Sequence, residues 1–220
     1  MAVASHARDA IRGLYFVTAD VPALGRTHQG LAADATAGGA RVVQFRHKPI
    51  GARRLEAAVA VRAVCRACGV LFIVNDDARL AVAVGADGLH VGQSDLGALD
   101  EWRAHEGGLL GVSVSTAEEA FTAVALGADY LGVGPVFATG SKHDAAPPIG
   151  LDGLQSIRET TALPLAAIGG IAEHNAADVL AAGADAICVI SAVSHAPVPQ
   201  VAARRLADIA ASATSTRSAR

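Results

Sequence analysis

The segment Gln44-Phe45-Arg46-His47-Lys48 alternates polar groups with ring-bearing side chains. Successive side chains of an extended strand point to opposite faces, so Gln44, Arg46 and Lys48 share one face and Phe45 and His47 the other. A single arginine at the end of a strand is ordinarily part of a solvated loop. Two cations and an amide on one face, at the end of a buried strand, favour an anion-binding site instead.

Carboxylates follow the next two apolar runs. The first run is followed by Asn75-Asp76-Asp77, and the second ends at His90 and is followed by Asp95. A helix N-cap explains one carboxylate of the Asp76-Asp77 pair but not both. Asp95 is likewise a candidate helix cap, and His90 a candidate interior histidine. Mg²⁺ is commonly bound by one or two carboxylates together with substrate phosphates. Asp76 and Asp95 at one rim therefore predict a Mg²⁺ site.

Small and hydroxylated residues follow the later apolar runs. They are Ser113, Ser115, Thr139, Ser141, Gly169, Gly170 and Ser191, the last of them directly after Ile190. The long segment 134–150, which also contains Lys142, has the length of a functional loop. Glycines allow backbone N–H groups to approach a ligand closely, so the Gly-Gly pair and Ser191 predict a second anion site, one that binds phosphate.

Only two of the 18 basic residues are lysines, Lys48 and Lys142, and both fall in segments predicted to bind anions. Carboxylates beside them, such as Asp76 and Asp95, would repel a phosphate unless a metal ion lay between. The combination is consistent with Mg²⁺ and a diphosphate. A compact, flexible ammonium group suits a phosphate oxygen where a planar guanidinium does not.

A repeated helix–strand unit must position these residues. Four Gly-Ala pairs, beginning at Gly39, Gly85, Gly127 and Gly183, each lie between an Ala-rich stretch and an apolar run. Glycine at that point ends a helix in the left-handed conformation. With the less regular runs included, the predicted strands are residues 14–18, 42–45, 71–74, 88–90, 110–113, 130–132, 165–168 and 186–190.

Eight such units predict an α/β fold consisting of one (β/α)₈ TIM barrel, with a doubly wound open sheet as the alternative. We place the barrel domain at residues 10–211, with flexible termini at 1–9 and 212–220. Active sites of these barrels lie at the carboxyl ends of the strands, where the polar residues described above fall.

The composition excludes several classes of partner and cellular location. The net charge of −3 provides no basic excess for nucleic acid or an anionic membrane surface. Neither a membrane span nor a signal peptide is apparent, and three cysteines fit a reducing compartment, so we expect a cytoplasmic protein. The Cys65-x-x-Cys68 pair lies in a helical pattern without a second pair, which favours a structural role. A homo-oligomer is compatible with the sequence.

Seven motifs in order carry a family resemblance: GLYFVT (13–18), VQFRHK (43–48), VNDD (74–77), LHVGQSD (89–95), YLGVGPVF (130–137), IGGI (168–171) and ISAV (190–193). From about residue 12 to about residue 209 the chain resembles the thiamine phosphate synthase family. The resemblance implies a transferase that joins 4-amino-2-methyl-5-hydroxymethylpyrimidine diphosphate to hydroxyethylthiazole phosphate. The products would be thiamine phosphate and pyrophosphate.

The resemblance also implies roles for particular residues. The pyrimidine diphosphate would be held by Gln44, Arg46, Lys48 and Asn75, with Ser113 beside the pyrimidine. Asp76 and Asp95 would bind Mg²⁺. The loop would contribute Thr139, Ser141 and Lys142, and the thiazole phosphate would lie against Gly170, Ile190 and Ser191. Arg46, Lys48, Lys142 and Ser113 are the expected catalytic residues.

Two positions depart from the family pattern: His47 stands where an acidic residue is common, and Ser141 where threonine is usual. Three other functions remain open at this point. One is a thiazole tautomerase of the same barrel family, which would need the thiazole phosphate site but not the diphosphate and Mg²⁺ residues. The others are a non-catalytic regulator that binds thiamine phosphates, and a phosphate-binding barrel enzyme of another kind.

Overall fold

The computed structural model describes residues 8–47, 52–105, 108–140 and 146–218. Eight parallel strands form a closed barrel in chain order, with the last strand hydrogen-bonded to the first. The strands are β1 Gly13–Val17, β2 Val42–Phe45, β3 Leu71–Asn75, β4 Gly88–Val91, β5 Leu109–Val114, β6 Tyr130–Val133, β7 Leu165–Ile168 and β8 Ala186–Val189. The predicted (β/α)₈ barrel is confirmed, and the open sheet is excluded.

Helices follow the strands and cover the outside of the barrel. They are α1 His28–Ala37, α2 Ala52–Cys68, α3 Ala78–Ala83, α4 Leu99–Arg103, α5 Ala117–Ala125, α6 Gly150–Thr160, α7 Ala176–Ala181, α8 Ser191–Ser194 and α9 Pro199–Ser218. Two 3₁₀ helices, η1 Pro22–Leu24 and η2 Gln93–Ala98, lie after β1 and β4. None of the helices in the described part of the chain has the length and apolar character needed to cross a membrane.

Strand alternation divides the apolar residues into two cores. In β1, Leu14 and Phe16 face the helices and belong to the large outer core. Tyr15 and Val17 of the same strand face inward, with a smaller core that fills the barrel. Both sides of each strand are therefore buried, which explains why the strands appear in the sequence as short, continuous apolar runs.

The four Gly-Ala pairs end helices as predicted. Gly39, Gly85, Gly127 and Gly183 all have positive φ, between 61° and 110°. A side chain at such an angle is strained, so glycine allows the chain to leave the helix and enter the next strand.

An aspartate after three of these pairs connects neighbouring strands at the amino end of the barrel. The carboxylates of Asp87, Asp129 and Asp185 accept the backbone N–H groups of Phe72, Leu110 and Leu165, at 2.8–2.9 Å. Each carboxylate also forms an ion pair with an arginine: Arg62, Arg8 and Arg158 respectively. Gly-Ala-Asp is thus a structural repeat, remote from the carboxyl ends of the strands.

Asp185→Ala is expected to destabilise the barrel, because it removes the acceptor of the Leu165 N–H and the partner of Arg158. Hydrogen bonds to charged groups contribute about 1.5–3 kcal/mol, so we expect the free energy of unfolding to fall by about 2 kcal/mol. Urea denaturation measures the change. Asp208→Ala, at an exposed position of α9, is the control and should lie near wild type; equal losses in both variants would contradict the assignment.

The last helix of the barrel extends close to the carboxyl end of the chain. Residues 212–220 are predicted to be a flexible terminus, and the structure shows that 212–218 are helical, because α9 continues through Ser218. Their flexibility stays a prediction. Extending an existing helix fixes one residue per added hydrogen bond, which is far easier than starting a helix. Serine- and threonine-rich composition therefore did not end the helix.

The C-x-x-C pair lies on α2, as expected from its helical pattern. Cys65 is buried, and its burial raises the pKa of the thiol to about 12. Cys68 is exposed, and neither cysteine forms a disulfide. A buried thiol with a raised pKa is a packing residue.

Candidate functional site

A cavity of about 720 Å³ opens at the carboxyl ends of the strands. Ten of the residues predicted from the sequence line it: Gln44, Arg46, Asn75, Asp76, Asp95, Ser113, Thr139, Gly170, Ile190 and Ser191. They come from strands or loops all around the barrel, so only its closure brings them together. The other three predicted residues, Lys48, Ser141 and Lys142, lie outside the described residues.

The strand-2 segment separates its side chains as alternation predicts. Gln44 and Arg46 line the cavity, and Gln44 is almost fully buried in its wall. The rings of Phe45 and His47 stack on the other side of the strand, with centroids 6.0 Å apart.

The structure distinguishes the two carboxylates after β3. Asp77 is the N-cap of α3, where its Oδ1 accepts the N–H of Leu80 at 2.9 Å, and its Oδ2 pairs with Arg54. Asp76 lines the cavity, and it is the one residue other than glycine with positive φ in the described part of the chain, at 63°. The N-cap explanation therefore applies to Asp77, and Asp76 is available for a ligand.

Asp76 and Asp95 form a carboxylate pair on one wall of the cavity. Burial is the main reason that the pKa of Asp76 is raised, and the charge of the nearby Asp95 raises it further. The amide of Asn75 donates to Asp76 Oδ2, and the hydroxyl of Ser94 donates to Asp95 Oδ2. A partly buried carboxylate with a second carboxylate beside it fits a hard divalent cation, whose positive charge would favour the ionised form of Asp76.

The charges of the described cavity wall do not by themselves suit a phosphate. Asp76, Asp95 and Glu119 line the cavity, whereas Arg46 is the one arginine or lysine among the described lining residues. Glu119 already accepts the backbone N–H and the hydroxyl of Ser115. An anionic ligand here needs additional positive charge, from a cation or from side chains outside the described residues.

A line of hydrogen bonds crosses the floor of the cavity through the chain's two tyrosines. Gln44 Nε2 donates to Tyr15 Oη at 2.8 Å, and Tyr15 Oη lies 2.9 Å from Tyr130 Oη. His90 joins the line through Nδ1, 3.0 Å from Tyr130 Oη, and through Nε2, 2.9 Å from Ser113 Oγ. The line therefore connects Gln44 with Ser113, two residues predicted to hold substrate.

Burial keeps the members of this line uncharged. It lowers the pKa of His90 to about 4 and raises the pKa values of Tyr15 and Tyr130. At neutral pH the line is a neutral hydrogen-bond network that fixes the orientation of Gln44 and Ser113. A neutral imidazole buried in this way positions Ser113 through a hydrogen bond.

Two glycines leave the space that His90 and Tyr130 occupy. A Cβ at Gly132 would lie 2.6 Å from His90 Cε1, and one at Gly111 would overlap the rings of both Tyr130 and His90. Any larger residue at either position would displace the histidine from the floor.

The lowered pKa of His90 predicts a stability that falls in acid. The unfolded chain binds a proton near the ordinary histidine pKa of about 6.5, whereas the folded chain does so only near 4. The contribution of His90 to the free energy of unfolding is close to zero above about pH 6.5. It becomes increasingly unfavourable as the pH falls toward 4, where it destabilises the folded state by about 3 kcal/mol. Urea denaturation as a function of pH measures it. His90→Gln should reduce the slope; an unchanged slope would contradict the buried neutral state.

Tyr15 and Tyr130 were not predicted from the sequence as site residues, and His90 was predicted only as a candidate interior histidine. The available signal was that both tyrosines occupy inward-facing strand positions in a chain with no other tyrosine. A buried tyrosine hydroxyl needs a hydrogen-bond partner, so two of them inside one small barrel indicate a polar network.

The glycines after β7 bring the backbone close to the cavity. Gly169 and Gly170 have φ of 104° and 64°, and a Cβ at Gly170 would lie 2.6 Å from the carbonyl oxygen of Ala138. With Ile190 and Ser191 after β8, this edge lines the cavity with main chain and small side chains. Such an edge is the usual phosphate-binding part of a (β/α)₈ barrel.

Fold and site together define a (β/α)₈-barrel enzyme whose cavity, at the carboxyl ends of the strands, is lined by polar residues from all around the barrel. The family model described as thiamine monophosphate synthase matches residues 14–193. The thiamine-phosphate synthase of Chloroflexus aurantiacus is 50% identical over 194 residues, which cover 88% of this chain and 90% of the relative. The thiamine-phosphate synthase of Methanoculleus marisnigri is 50% identical over 202 residues, covering 91% and 96%.

A solved structure agrees with these sequence relatives. The thiamine phosphate pyrophosphorylase of Pyrococcus furiosus superimposes with a TM-score of 0.85 at 37% identity, covering 94% of this chain and 98% of that chain. The chain belongs to the thiamine monophosphate synthase family, and it is an enzyme of the transferase class. The family expected from the seven motifs is confirmed.

Proposed function

We propose that this enzyme condenses 4-amino-2-methyl-5-hydroxymethylpyrimidine diphosphate with hydroxyethylthiazole phosphate, giving thiamine phosphate and pyrophosphate. The observation that carries the proposal is a single cavity that combines the Gln44–Ser113 line, the Asp76–Asp95 pair and the glycine-lined edge. These three parts match a polar aromatic ring, a diphosphate and a monophosphate respectively.

The pyrimidine ring would lie on the floor of the cavity. Its amino group and ring nitrogens need both acceptors and donors, and the Gln44 amide and the Ser113 hydroxyl provide both kinds. The network through Tyr15, Tyr130 and His90 fixes their directions before the substrate arrives. A preorganised floor reduces the entropy lost when the reacting ring is oriented.

The diphosphate would lie between Arg46 and the carboxylate pair. Asp76 and Asp95 would hold Mg²⁺, which when bound supplies charge neutralisation for the diphosphate. Arg46, with Lys48 and Lys142, would provide the remaining positive charge, and Asn75 an amide for hydrogen bonding. Ser141 and Thr139 would contribute hydroxyl groups from the segment after β6.

The phosphate of the thiazole would lie against Gly170, Ile190 and Ser191, on the opposite side of the cavity mouth from β3. Main-chain N–H groups at glycine-rich turns suit a phosphate because no side chain stands in the way. The separation of this edge from Asp76 and Asp95 keeps the two anionic groups apart.

The reaction would proceed by dissociative substitution. The bond between the pyrimidine methylene carbon and the diphosphate oxygen breaks, and its electron pair leaves with pyrophosphate. The lone pair of the thiazole nitrogen then forms the new C–N bond. That nitrogen carries no proton, so the step requires no general base, in agreement with a His90 that stays neutral and hydrogen-bonded.

The direct test supplies both substrates, with and without Mg²⁺, and measures pyrophosphate and thiamine phosphate. We expect product that requires both substrates and is lost with a chelator. Thiazole isomerisation without condensation would support a tautomerase instead. Binding of thiamine phosphate without turnover would support a non-catalytic regulator, and no product with any metal would reject the synthase.

The partners follow from this chemistry. The proposed substrates are small phosphorylated molecules, and the net charge of −3 gives no support for nucleic acid or a membrane surface as a partner. We infer a cytoplasmic location from the supply of such substrates. A homo-oligomer stays a prediction, which light scattering tests.

A further inference from the structure

A second group of potential metal ligands lies on the outer side of β1 and β2. It consists of Asp20, His28 and His47, and one ligand atom from each lies within 4.8 Å of the others. Asp20 follows β1, His28 is the first residue of α1, and His47 follows β2. None of the three is a lining residue of the cavity described above.

The distances within the group approach those of a metal site. Asp20 Oδ2 lies 3.5 Å from His28 Nε2 and 3.8 Å from His47 Nε2. Atoms that bind Zn²⁺ at about 2.0–2.1 Å in a tetrahedral arrangement are about 3.4 Å apart. The Asp20 carboxylate therefore lies within about 0.5 Å of this spacing from both imidazoles, and the ligand atoms of the two histidines lie within 4.8 Å of each other.

Hydrogen bonds fix the orientation of two of the three ligands, Asp20 and His28. The backbone N–H of His28 donates to Asp20 Oδ1 at 3.0 Å, which directs Oδ2 toward the histidines. His28 Nδ1 lies 2.7 Å from Thr18 Oγ1, leaving Nε2 on the side of Asp20. A hydrogen bond to the second ring nitrogen is the usual way in which proteins orient a metal-binding histidine.

Ring packing holds the two imidazoles side by side. The His28 ring lies 4.9 Å from the Phe45 ring and 5.0 Å from the His47 ring, centroid to centroid. His28 is buried, whereas the Asp20 side chain is 44% exposed. An ion held here would keep an open side for water.

We propose that Asp20, His28 and His47 bind a divalent transition metal ion of the Zn²⁺ type, separate from the Mg²⁺ expected at Asp76 and Asp95. Two imidazoles and one carboxylate are the ligands of Zn²⁺, Co²⁺ or Ni²⁺, whereas Mg²⁺ prefers oxygen ligands. Thr18 Oγ1 also accepts the backbone N–H of Arg46 at 3.3 Å. An ion at this site would therefore brace the segment that carries Gln44 and Arg46 into the cavity.

The test uses tag-free full-length protein in the Cys68→Ser background, so that the exposed thiol does not bind metal. Excess Mg²⁺ occupies hard oxygen sites, and Co²⁺ is then added while its visible d–d absorption is recorded. We expect one equivalent of Co²⁺ to bind and Zn²⁺ to displace it. Absence of stoichiometric binding would overturn the proposal.

Variants assign the ligands. Asp20→Asn and His47→Gln should each weaken Co²⁺ binding at least tenfold, while His174→Gln, at an exposed histidine elsewhere, should leave it unchanged. The amide introduced by Asp20→Asn keeps an oxygen that accepts the His28 N–H, so the start of α1 stays intact. Equal binding in wild type and in both ligand variants would show that the metal lies elsewhere and would also overturn the proposal.

Thermal melting gives a readout independent of catalysis. Zn²⁺ at about 100 times its dissociation constant should raise the melting temperature of the wild type by about 5 °C or more. His47→Gln should show no such rise, and its melting temperature without metal should confirm that it folds. A rise of the same size in His47→Gln would exclude this site.

Discussion

Asp76→Asn is expected to lower the turnover of pyrophosphate release about 100- to 1,000-fold, equivalent to ~3–4 kcal/mol of transition-state stabilisation. The amide has almost the same shape as the carboxylate, but the substitution removes the negative charge of Asp76 and leaves Asp95 as the one carboxylate of the pair. Steady-state kinetics at several Mg²⁺ concentrations measures the loss. We also expect the Mg²⁺ concentration for half-maximal activity to rise.

The neighbouring residue is a matched control. Asp77→Asn removes the same charge one position along the chain, where the carboxylate caps α3 and pairs with Arg54. Asparagine is also a good N-cap, so we expect turnover near wild type and a loss of stability of less than about 1 kcal/mol. Turnover near wild type in Asp76→Asn, or an equal loss in both variants, would contradict a specific metal-binding role for Asp76.

Lys142→Ala is expected to lower turnover by a similar factor, about 100- to 1,000-fold. The described lining residues include three carboxylates and only one arginine, so the leaving pyrophosphate requires positive charge from elsewhere. Lysine is otherwise found only at Lys48 in this chain, which favours a specific functional role for Lys142 over that of an ordinary surface cation. Pre-steady-state measurement of pyrophosphate release tests the chemical step directly.

Two variants control for this result. Arg79→Ala removes an exposed cation that pairs with Glu101 on the outside of the barrel, and it should leave turnover unchanged. Lys142→Arg keeps the charge and tests whether the compact ammonium matters. Turnover near wild type in Lys142→Ala would remove this residue from the proposed mechanism.

Local patterns in the sequence predicted the barrel closely. The eight predicted strands all exist, and 42–45 and 165–168 match β2 and β7 without any shift. The Gly-Ala pairs succeeded because ending a helix is a local event that depends on the backbone freedom of one residue. Alternation succeeded for Gln44 and Arg46 because a strand buried on both faces has a fixed period of two.

Local patterns were less informative where two residues competed for one role. The sequence showed that an N-cap accounts for only one of Asp76 and Asp77, but choosing between them required the turn in which Asp76 has positive φ. The serine- and threonine-rich composition of 212–218 did not indicate that α9 continues there, because helix continuation depends on the preceding turns as well as on composition.

By itself, the sequence determined the (β/α)₈ class, the family and the residues that reach the carboxyl ends of the strands, because strand period, glycine helix stops and ordered motifs are encoded locally. Only the tertiary structure decided which side chains meet. The Gln44–Tyr15–Tyr130–His90–Ser113 line joins residues from β2, β1, β6, β4 and β5, and the Asp20–His28–His47 group joins two loops and a helix. Such contacts depend on barrel closure and strand register, which set distances between residues far apart in the chain.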